Sequence, residues 1–170
     1  FHFKKCLVHF AVGNEKVFMT TRLQGSKTRF LPFNKDIENP VNPNGHKTAY
    51  LWEDILQPDT LLNLIKNYLH IQKNTEKYYD KNNGLVEKEY EVLIFPRFHQ
   101  LDSVRNILTG VKKEGVGKNY LIQHSPGSGK SNSIAWLSHQ LASFYQNDTD
   151  KDRLFDSIIV VTDRRILDKQ

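Results

Sequence analysis

The segment that constrains this chain most is a short glycine turn with an apolar run before it and a helical pattern after it. Residues 119–123 are mostly apolar, and the turn at residues 125–129 leads directly into Lys130 and Ser131. Apolar residues then recur at helical spacing over residues 134–141. This order predicts a phosphate-binding loop, because glycines let backbone N–H groups close around an anion and a helix start adds further N–H groups.

The spacing inside the turn assigns a role to each polar residue. Lys130 would neutralise the β- and γ-phosphates of a nucleotide, and the Ser131 hydroxyl would ligate magnesium. His124 stands where the full G-x-x-x-x-G-K-[ST] motif of P-loop NTPases has its first glycine. Many helicases also lack that glycine and keep G-x-G-K-[ST], as this chain does with Gly127 and Gly129. The alternative interpretation is a serine–glycine turn that caps an ordinary helix.

Composition excludes several classes of protein. With 170 residues, 38% of them hydrophobic and 25% charged, the chain can bury one sizeable core and is not expected to be disordered. No apolar run reaches the length of a membrane span, and no signal-peptide pattern opens the sequence. The single cysteine, Cys6, excludes an intramolecular disulfide and fits a reducing cytoplasm.

The net charge of +5 is unevenly distributed. Residues 1–50 hold eight Lys and Arg against three Asp and Glu, whereas the remaining residues hold sixteen of each sign. A basic segment of this size suits a polyanion such as nucleic acid, and it also suits an ordinary solvated surface.

The first part of the chain is predicted to contain a β-hairpin, a linker and a helix. The hairpin joins residues 7–12 to residues 17–23, and we expect the other strands of its sheet to lie outside this chain. Residues 36–50, rich in Asn, Pro and Gly, predict a linker. An amphipathic helix follows, starting at Asp59 or Thr60, with an apolar stripe that faces a core.

The later part of the chain predicts alternating helices and strands. Residues 73–91 are charged and indicate a loop or a hairpin tip. A helix over residues 96–108 is followed by a turn at residues 110–118. The apolar runs at residues 119–123 and 155–162 predict strands, the second of them buried on both faces. This alternation favours a doubly wound α/β sheet.

Gln100 lies 30 residues before Lys130, within Phe95-Pro-Arg-Phe-His-Gln-Leu101. A glutamine amide can pair with both N6 and N7 of adenine while a neighbouring aromatic ring stacks on the base. At this distance from a phosphate loop, Gln100 resembles the adenine-reading Q-motif of superfamily 2 helicases, which implies a preference for ATP over GTP.

Three stretches narrow the resemblance: Phe30-Leu-Pro-Phe-Asn-Lys35, the loop and helix over residues 120–137, and residues 159–170. Together they resemble the restriction (R) subunit of type I restriction–modification enzymes. The resemblance implies an α/β fold, the start of a RecA-like P-loop parallel sheet preceded by a β-hairpin from the end of a PD-(D/E)xK nuclease domain. Residues 1–35 would be the last strands of the nuclease domain, residues 36–50 the linker, and residues 51–170 the first part of the first motor domain.

The resemblance also implies cofactors, site residues and partners. ATP and Mg²⁺ would be bound, with the nucleotide contacted by Arg97, Gln100, Gly127, Ser128, Gly129, Lys130 and Ser131. Among these, Lys130 would be catalytic and Ser131 would ligate the metal. DNA would be contacted by Thr162, Arg164 and Arg165. The partners would be double-stranded DNA and the methyltransferase (M) and specificity (S) subunits, with no membrane, in the cytoplasm of a bacterium or archaeon.

The sequence departs from the complete family pattern, because no DEAH-type motif follows the phosphate loop and no nuclease motif is present. We therefore expect an internal piece of a type I site-specific deoxyribonuclease with ATP-dependent translocase activity, a piece that does not turn over ATP by itself. Two alternatives stay open: a P-loop kinase or other NTPase acting on a small molecule, and a non-catalytic DNA-binding module.

Overall fold

A computed structural model describes residues 6–80, 84–147 and 152–161. Backbone contacts divide the chain into two compact units, Phe1–Phe95 and Pro96–Gln170. Neither the length nor the hydropathy of any helix in these described stretches would let it traverse a bilayer.

Among the described residues, the first unit contains five strands and one α-helix, and the second contains two α-helices. In chain order the elements are β1 (His9–Val12), β2 (Val17–Thr20), β3 (Leu31–Pro32), α1 (Pro58–Asn67), β4 (His70–Asp80), β5 (Gly84–Ile94), α2 (Phe98–Glu114) and α3 (Lys130–Leu141). A 3₁₀ turn, Gly25–Lys27, and a π-helical turn, Leu51–Ile55, complete the first unit.

The hairpin predicted near the start of the chain is confirmed. Strands β1 and β2 pair antiparallel, with Val12 opposite Val17 and Gly13 donating its N–H to the Lys16 carbonyl at 2.9 Å. The sheet also has a third strand, because β3 pairs antiparallel with β2. The expectation that the sheet is extended only from outside the chain was therefore wrong, since two residues, Leu31 and Pro32, already form an edge strand within it.

The core of the first unit is built on one face of this sheet. Val17 and Met19 alternate inward and are 0% and 2% exposed, as a period of two requires. The rings of Phe10, Phe33 and Phe95 meet with centroid distances of 5.3 to 6.1 Å, mostly edge to face. Edge-to-face geometry is favoured for aromatic pairs, so the cluster stabilises the first unit by more than the burial of its apolar area alone would.

The predicted linker at residues 36–50 has no regular strand, yet it packs closely against the hairpin. Asn39 is 3% exposed; its amide donates to the Glu15 carbonyl at 2.8 Å and accepts from the Lys35 N–H at 2.9 Å. Thr48, also buried, donates its hydroxyl to the Gly13 carbonyl at 3.0 Å. The boundary between the compact units falls at Phe95, and the assignment of the segments to nuclease, linker and motor stays a prediction.

Helix α1 is confirmed, with a start one or two residues earlier than expected. Gln57 is the N-cap and Pro58 occupies the first turn, where its missing N–H has no intrahelical acceptor to lose. Only a narrow stripe of the helix is buried: Leu64 is 1% exposed, whereas Leu62 and Ile65 are more than half exposed.

Residues 73–91, predicted to be a loop or a hairpin tip, form most of a two-stranded ribbon, so the hairpin alternative is confirmed. Strands β4 and β5, eleven residues each, pair antiparallel along their whole length. Opposite charges face each other in the register, at Lys73 and Glu91, Glu76 and Lys88, and Lys77 and Glu87. The loop alternative is wrong. The strands lack the apolar alternation of a half-buried sheet, so periodicity does not indicate them, and cross-strand charge pairs replace that alternation.

The second unit is organised by α2, which packs against α3. The predicted helix is confirmed, but it continues into residues 110–118, where a turn was expected. It ends at Glu114, followed by Gly115 as C-cap with a φ of +72°. Its buried face includes Leu101 and Val104, which are 1% and 0% exposed. Gly110 lies inside the helix rather than at a break. A Cβ at this position would lie 2.7 Å from the Tyr120 hydroxyl, so glycine leaves room for that side chain.

The two parallel strands predicted in the second unit are not formed among the described residues. Residues 119–123 and 155–161 have no ladder partner, and Thr162, the last residue of the second predicted strand, lies outside the described residues. Leu121, Ile159 and Val161 are 82% to 92% exposed, so the second run is not buried on both faces as predicted. A strand needs a hydrogen-bonded neighbour to become part of a sheet, and neither run has one in the described chain. The described sheets are antiparallel and lie in the first unit, so the observed fold is a mixed α and β one.

Candidate functional site: a phosphate loop braced by a helix

The glycine turn forms a tight loop that ends in a left-handed residue at the start of α3. Gly127 and Gly129 have φ values of +73° and +82°, a region that side chains with a Cβ rarely adopt. Gly129 is the N-cap of α3, and its carbonyl accepts the Asn132 N–H at 3.1 Å. The predicted order of loop, Lys130, Ser131 and helix is confirmed as local structure.

Lys130 lies across the loop. Its Nζ donates to the carbonyls of His124 and Ser125, each at 3.0 Å. The ammonium group is thus held at the solvent-exposed side of the loop by two neutral acceptors. Phosphate oxygens carry full negative charge and would compete well for the same three N–H donors.

Ser128 lies deepest in the loop, with a side chain 7% exposed. Its hydroxyl has no hydrogen-bond partner among the described residues. A buried hydroxyl without a partner costs free energy, and a ligand oxygen bound in the loop would supply one. Together with the positive φ of both glycines and the start of α3, this hydroxyl fits the phosphate groups of a nucleotide.

Ser131 is the second residue of α3 and half-buried. No group of three or more His, Cys, Asp or Glu in the described part of the chain is arranged to hold a metal ion. The Ser131 hydroxyl would be one ligand of a magnesium ion, alongside nucleotide oxygens and water, which this ion commonly keeps.

Gln100 lies on α2 beside the loop, 3% exposed, with both ends of its amide engaged by backbone groups. The Oε1 atom accepts the Arg97 N–H at 2.8 Å, and the Nε2 atom donates to the Gly129 carbonyl at 2.8 Å. Arg97 is the N-cap of α2, so Gln100 occupies the third helical position, where glutamine often satisfies the cap N–H. Its contact with adenine stays a prediction; the described contact is with the phosphate loop.

Sequence reasoning did not identify a cluster of two histidines and a serine beside Gln100. His99 Nε2 lies 3.0 Å from the Ser128 carbonyl, and the rings of His99 and His124 meet edge to face at 4.8 Å. Ser103 Oγ lies 2.7 Å from the His99 carbonyl and 3.3 Å from His124 Nε2. The one available signal was His124, a histidine at the position of a motif glycine.

The surroundings of His99 favour its neutral form. Partial burial is the largest cause that lowers the pKa of His99 below its usual value of 6.5, and the nearby His124 and Arg97 act in the same direction. The hydrogen bond to the Ser128 carbonyl opposes this shift without reversing it. Thr162, Arg164 and Arg165, predicted to contact DNA, lie outside the described residues.

Comparison with known proteins identifies one related family. Residues 99–170 match the family model of the SWI2/SNF2 ATPase. No match is found among curated proteins or among solved structures. The matched region contains most of α2, the phosphate loop and α3, and it points to an ATPase motor of the superfamily 2 helicase type in this part of the chain.

Proposed function

We propose that this chain is the ATP-binding segment of a type I restriction endonuclease subunit, which uses ATP hydrolysis to translocate duplex DNA and to cleave it. The observation that carries the proposal is the phosphate loop with Lys130 held across it, in a region that matches a helicase-like ATPase family. The restriction role itself is supported by the sequence resemblance at residues 30–35, 120–137 and 159–170.

In this proposal the loop holds the triphosphate and Lys130 neutralises its charge. Ser131 ligates Mg²⁺, while Arg97 and Gln100 lie on the adenine side. Thr162, Arg164 and Arg165 contact one DNA strand at the edge of the motor. The methyltransferase and specificity subunits supply target recognition, in the cytoplasm of a bacterium or archaeon.

A helicase-like ATPase without a nuclease is the second candidate. The family match supports it, because the matched family is an ATPase. ATP-dependent cleavage of unmodified duplex DNA by the complete complex with its M and S subunits separates the two. Translocation without cleavage would support the second candidate.

Lys130→Ala tests the ATP-binding role that both candidates share. Because charge-assisted hydrogen bonds contribute about 1.5–3 kcal/mol, we expect the variant to bind Mg–ATP roughly 10- to 100-fold more weakly in calorimetry. Lys118→Ala is the matched control, since Lys118 is exposed and lies in the same unit outside the loop. Equal affinity of the Lys130→Ala variant and the unmutated chain would contradict the proposal.

A further inference from the structure

Helix α2 contacts the phosphate loop at two successive carbonyl groups. His99 Nε2 lies 3.0 Å from the Ser128 carbonyl, and Gln100 Nε2 lies 2.8 Å from the Gly129 carbonyl. We propose that His99 is a positioning residue for nucleotide binding: it holds the Ser128 carbonyl against α2, so that the loop presents its amides to the phosphates. This inference rests on the proposed ATP-binding function.

Peptide geometry explains how a bond to a carbonyl aims an amide. No described peptide bond is cis, and in a trans peptide the C=O and the following N–H point in opposite directions. With the Ser128 carbonyl turned toward His99, the N–H of Gly129 faces away from α2. With the Gly129 carbonyl turned toward Gln100, the N–H of Lys130 does the same. Two successive amides aimed to one side form a concavity that binds anions.

The His99 ring packs against the ring of His124, and His124 is in turn hydrogen-bonded to Ser103. Ser103 Oγ donates its only proton to the His99 carbonyl at 2.7 Å, so its contact with His124 Nε2 at 3.3 Å requires a proton on that nitrogen. The two rings meet nearly perpendicular, at an interplanar angle of 84°. His124 stands at the position of the missing motif glycine, and its side chain connects the loop to His99 and Ser103 of α2.

The hydrogen bonds fix the tautomers of both histidines. A carbonyl only accepts, so His99 carries its proton on Nε2, and the preceding argument places the His124 proton on Nε2 as well. His124 Nδ1 is then a lone pair, which fits its burial without a partner among the described residues. Arg97, a cation near this cluster, favours a neutral His99.

Two substitutions of His99 separate the hydrogen bond from the mere filling of space. His99→Leu removes the donor, whereas His99→Gln places an amide N–H at a similar distance from the backbone. We expect His99→Leu to bind Mg–ATP about 3- to 10-fold more weakly in calorimetry, the effect of losing one hydrogen bond, and His99→Gln to recover most of this loss. His139→Leu, an exposed position on α3, is the matched control and should bind as the unmutated chain does.

Lys130→Ala, measured alongside, distinguishes the possible failures. If the unmutated chain does not bind Mg–ATP, the proposed function is wrong. A second possible result is that the unmutated chain binds Mg–ATP, that Lys130→Ala weakens this binding, and that His99→Leu does not. The ATP site would then be supported and the role of His99 refuted. Equal losses in His99→Leu and His99→Gln would also refute the role, because the donor would not matter.

Tautomers provide a test that needs no variant and no nucleotide. Nitrogen-15 NMR of the histidine rings in the unmutated chain should show both His99 and His124 protonated at Nε2 at neutral pH. A His99 ring protonated only at Nδ1 would overturn the proposal, since Nε2 could then not donate to Ser128.

Discussion

At the scale of single residues, the phosphate loop depends on where its two glycines lie relative to α2. Both have positive φ, but their surroundings differ. A Cβ on Gly127 would meet nothing within 4 Å, whereas a Cβ on Gly129 would collide with the Gln100 amide nitrogen. Gln100 cannot easily move aside, because it is buried and holds both the Arg97 N–H and the Gly129 carbonyl.

We therefore expect Gly129→Ala to destabilise the chain more than Gly127→Ala. Each substitution imposes a left-handed backbone on alanine, which costs about 1–2 kcal/mol. Gly129→Ala also disrupts the Gln100 bridge, adding about 1 kcal/mol. Urea unfolding followed by fluorescence compares the two. When Gln100 is also replaced by alanine, the difference in unfolding free energy between Gly129→Ala and Gly127→Ala should shrink. If the difference persisted, it would come from backbone strain and not from the Gln100 contact.

At the scale of elements, the β4–β5 ribbon shows charge pairs replacing apolar alternation. Lys77 and Glu87 are paired across the strands with side chains 62% and 55% exposed. Exposed cross-strand pairs of this kind contribute up to about 1 kcal/mol each. Their importance here lies in register, because a one-residue slip would place Lys77 opposite Lys88 or Glu76 opposite Glu87.

Exchanging the two charges tests this account. Lys77→Glu alone places two carboxylates opposite each other and should speed amide hydrogen exchange in the ribbon. The double variant Lys77→Glu with Glu87→Lys restores opposite charges and should return exchange toward the original rate. The coupling should weaken in 1 M salt, where exposed charges are screened over about 3 Å. A coupling insensitive to salt would point to packing rather than charge.

Some elements of the structure can be predicted from the sequence pattern and others cannot. The first hairpin and all three helices follow from local periodicity and turn residues, and the structure has them. The ribbon was predicted only as a loop or a hairpin tip because its strands are charged on both faces. The apolar runs at residues 119–123 and 155–161 lack the neighbours that a strand requires. At the site, Lys130 and the glycines come from a local motif. The contacts of His99 and Gln100 cross 29 residues and depend on how α2 packs, which no spacing in the sequence specifies.

At the scale of the whole molecule, the contacts of the candidate site all lie within the unit Pro96–Gln170. Binding of Mg–ATP should therefore slow hydrogen exchange at residues 124–131 and in the first turns of α2. Exchange in β1, β2 and the ribbon should stay unchanged, since these elements belong to the other unit. Mass spectrometry of peptides with and without nucleotide measures this. Protection centred on the first unit would place the nucleotide elsewhere.

The unpaired outer edges of the ribbon affect how one molecule meets another. Its two strands pair only with each other in the described chain, so the N–H and C=O groups along both outer edges are open to a strand from another polypeptide. A hydrophobic ribbon of this length would be a template for aggregation. The lysine and glutamate side chains of the ribbon instead make pairing unfavourable unless an incoming copy places opposite charges beside them. The charged residues of these strands therefore discourage self-association.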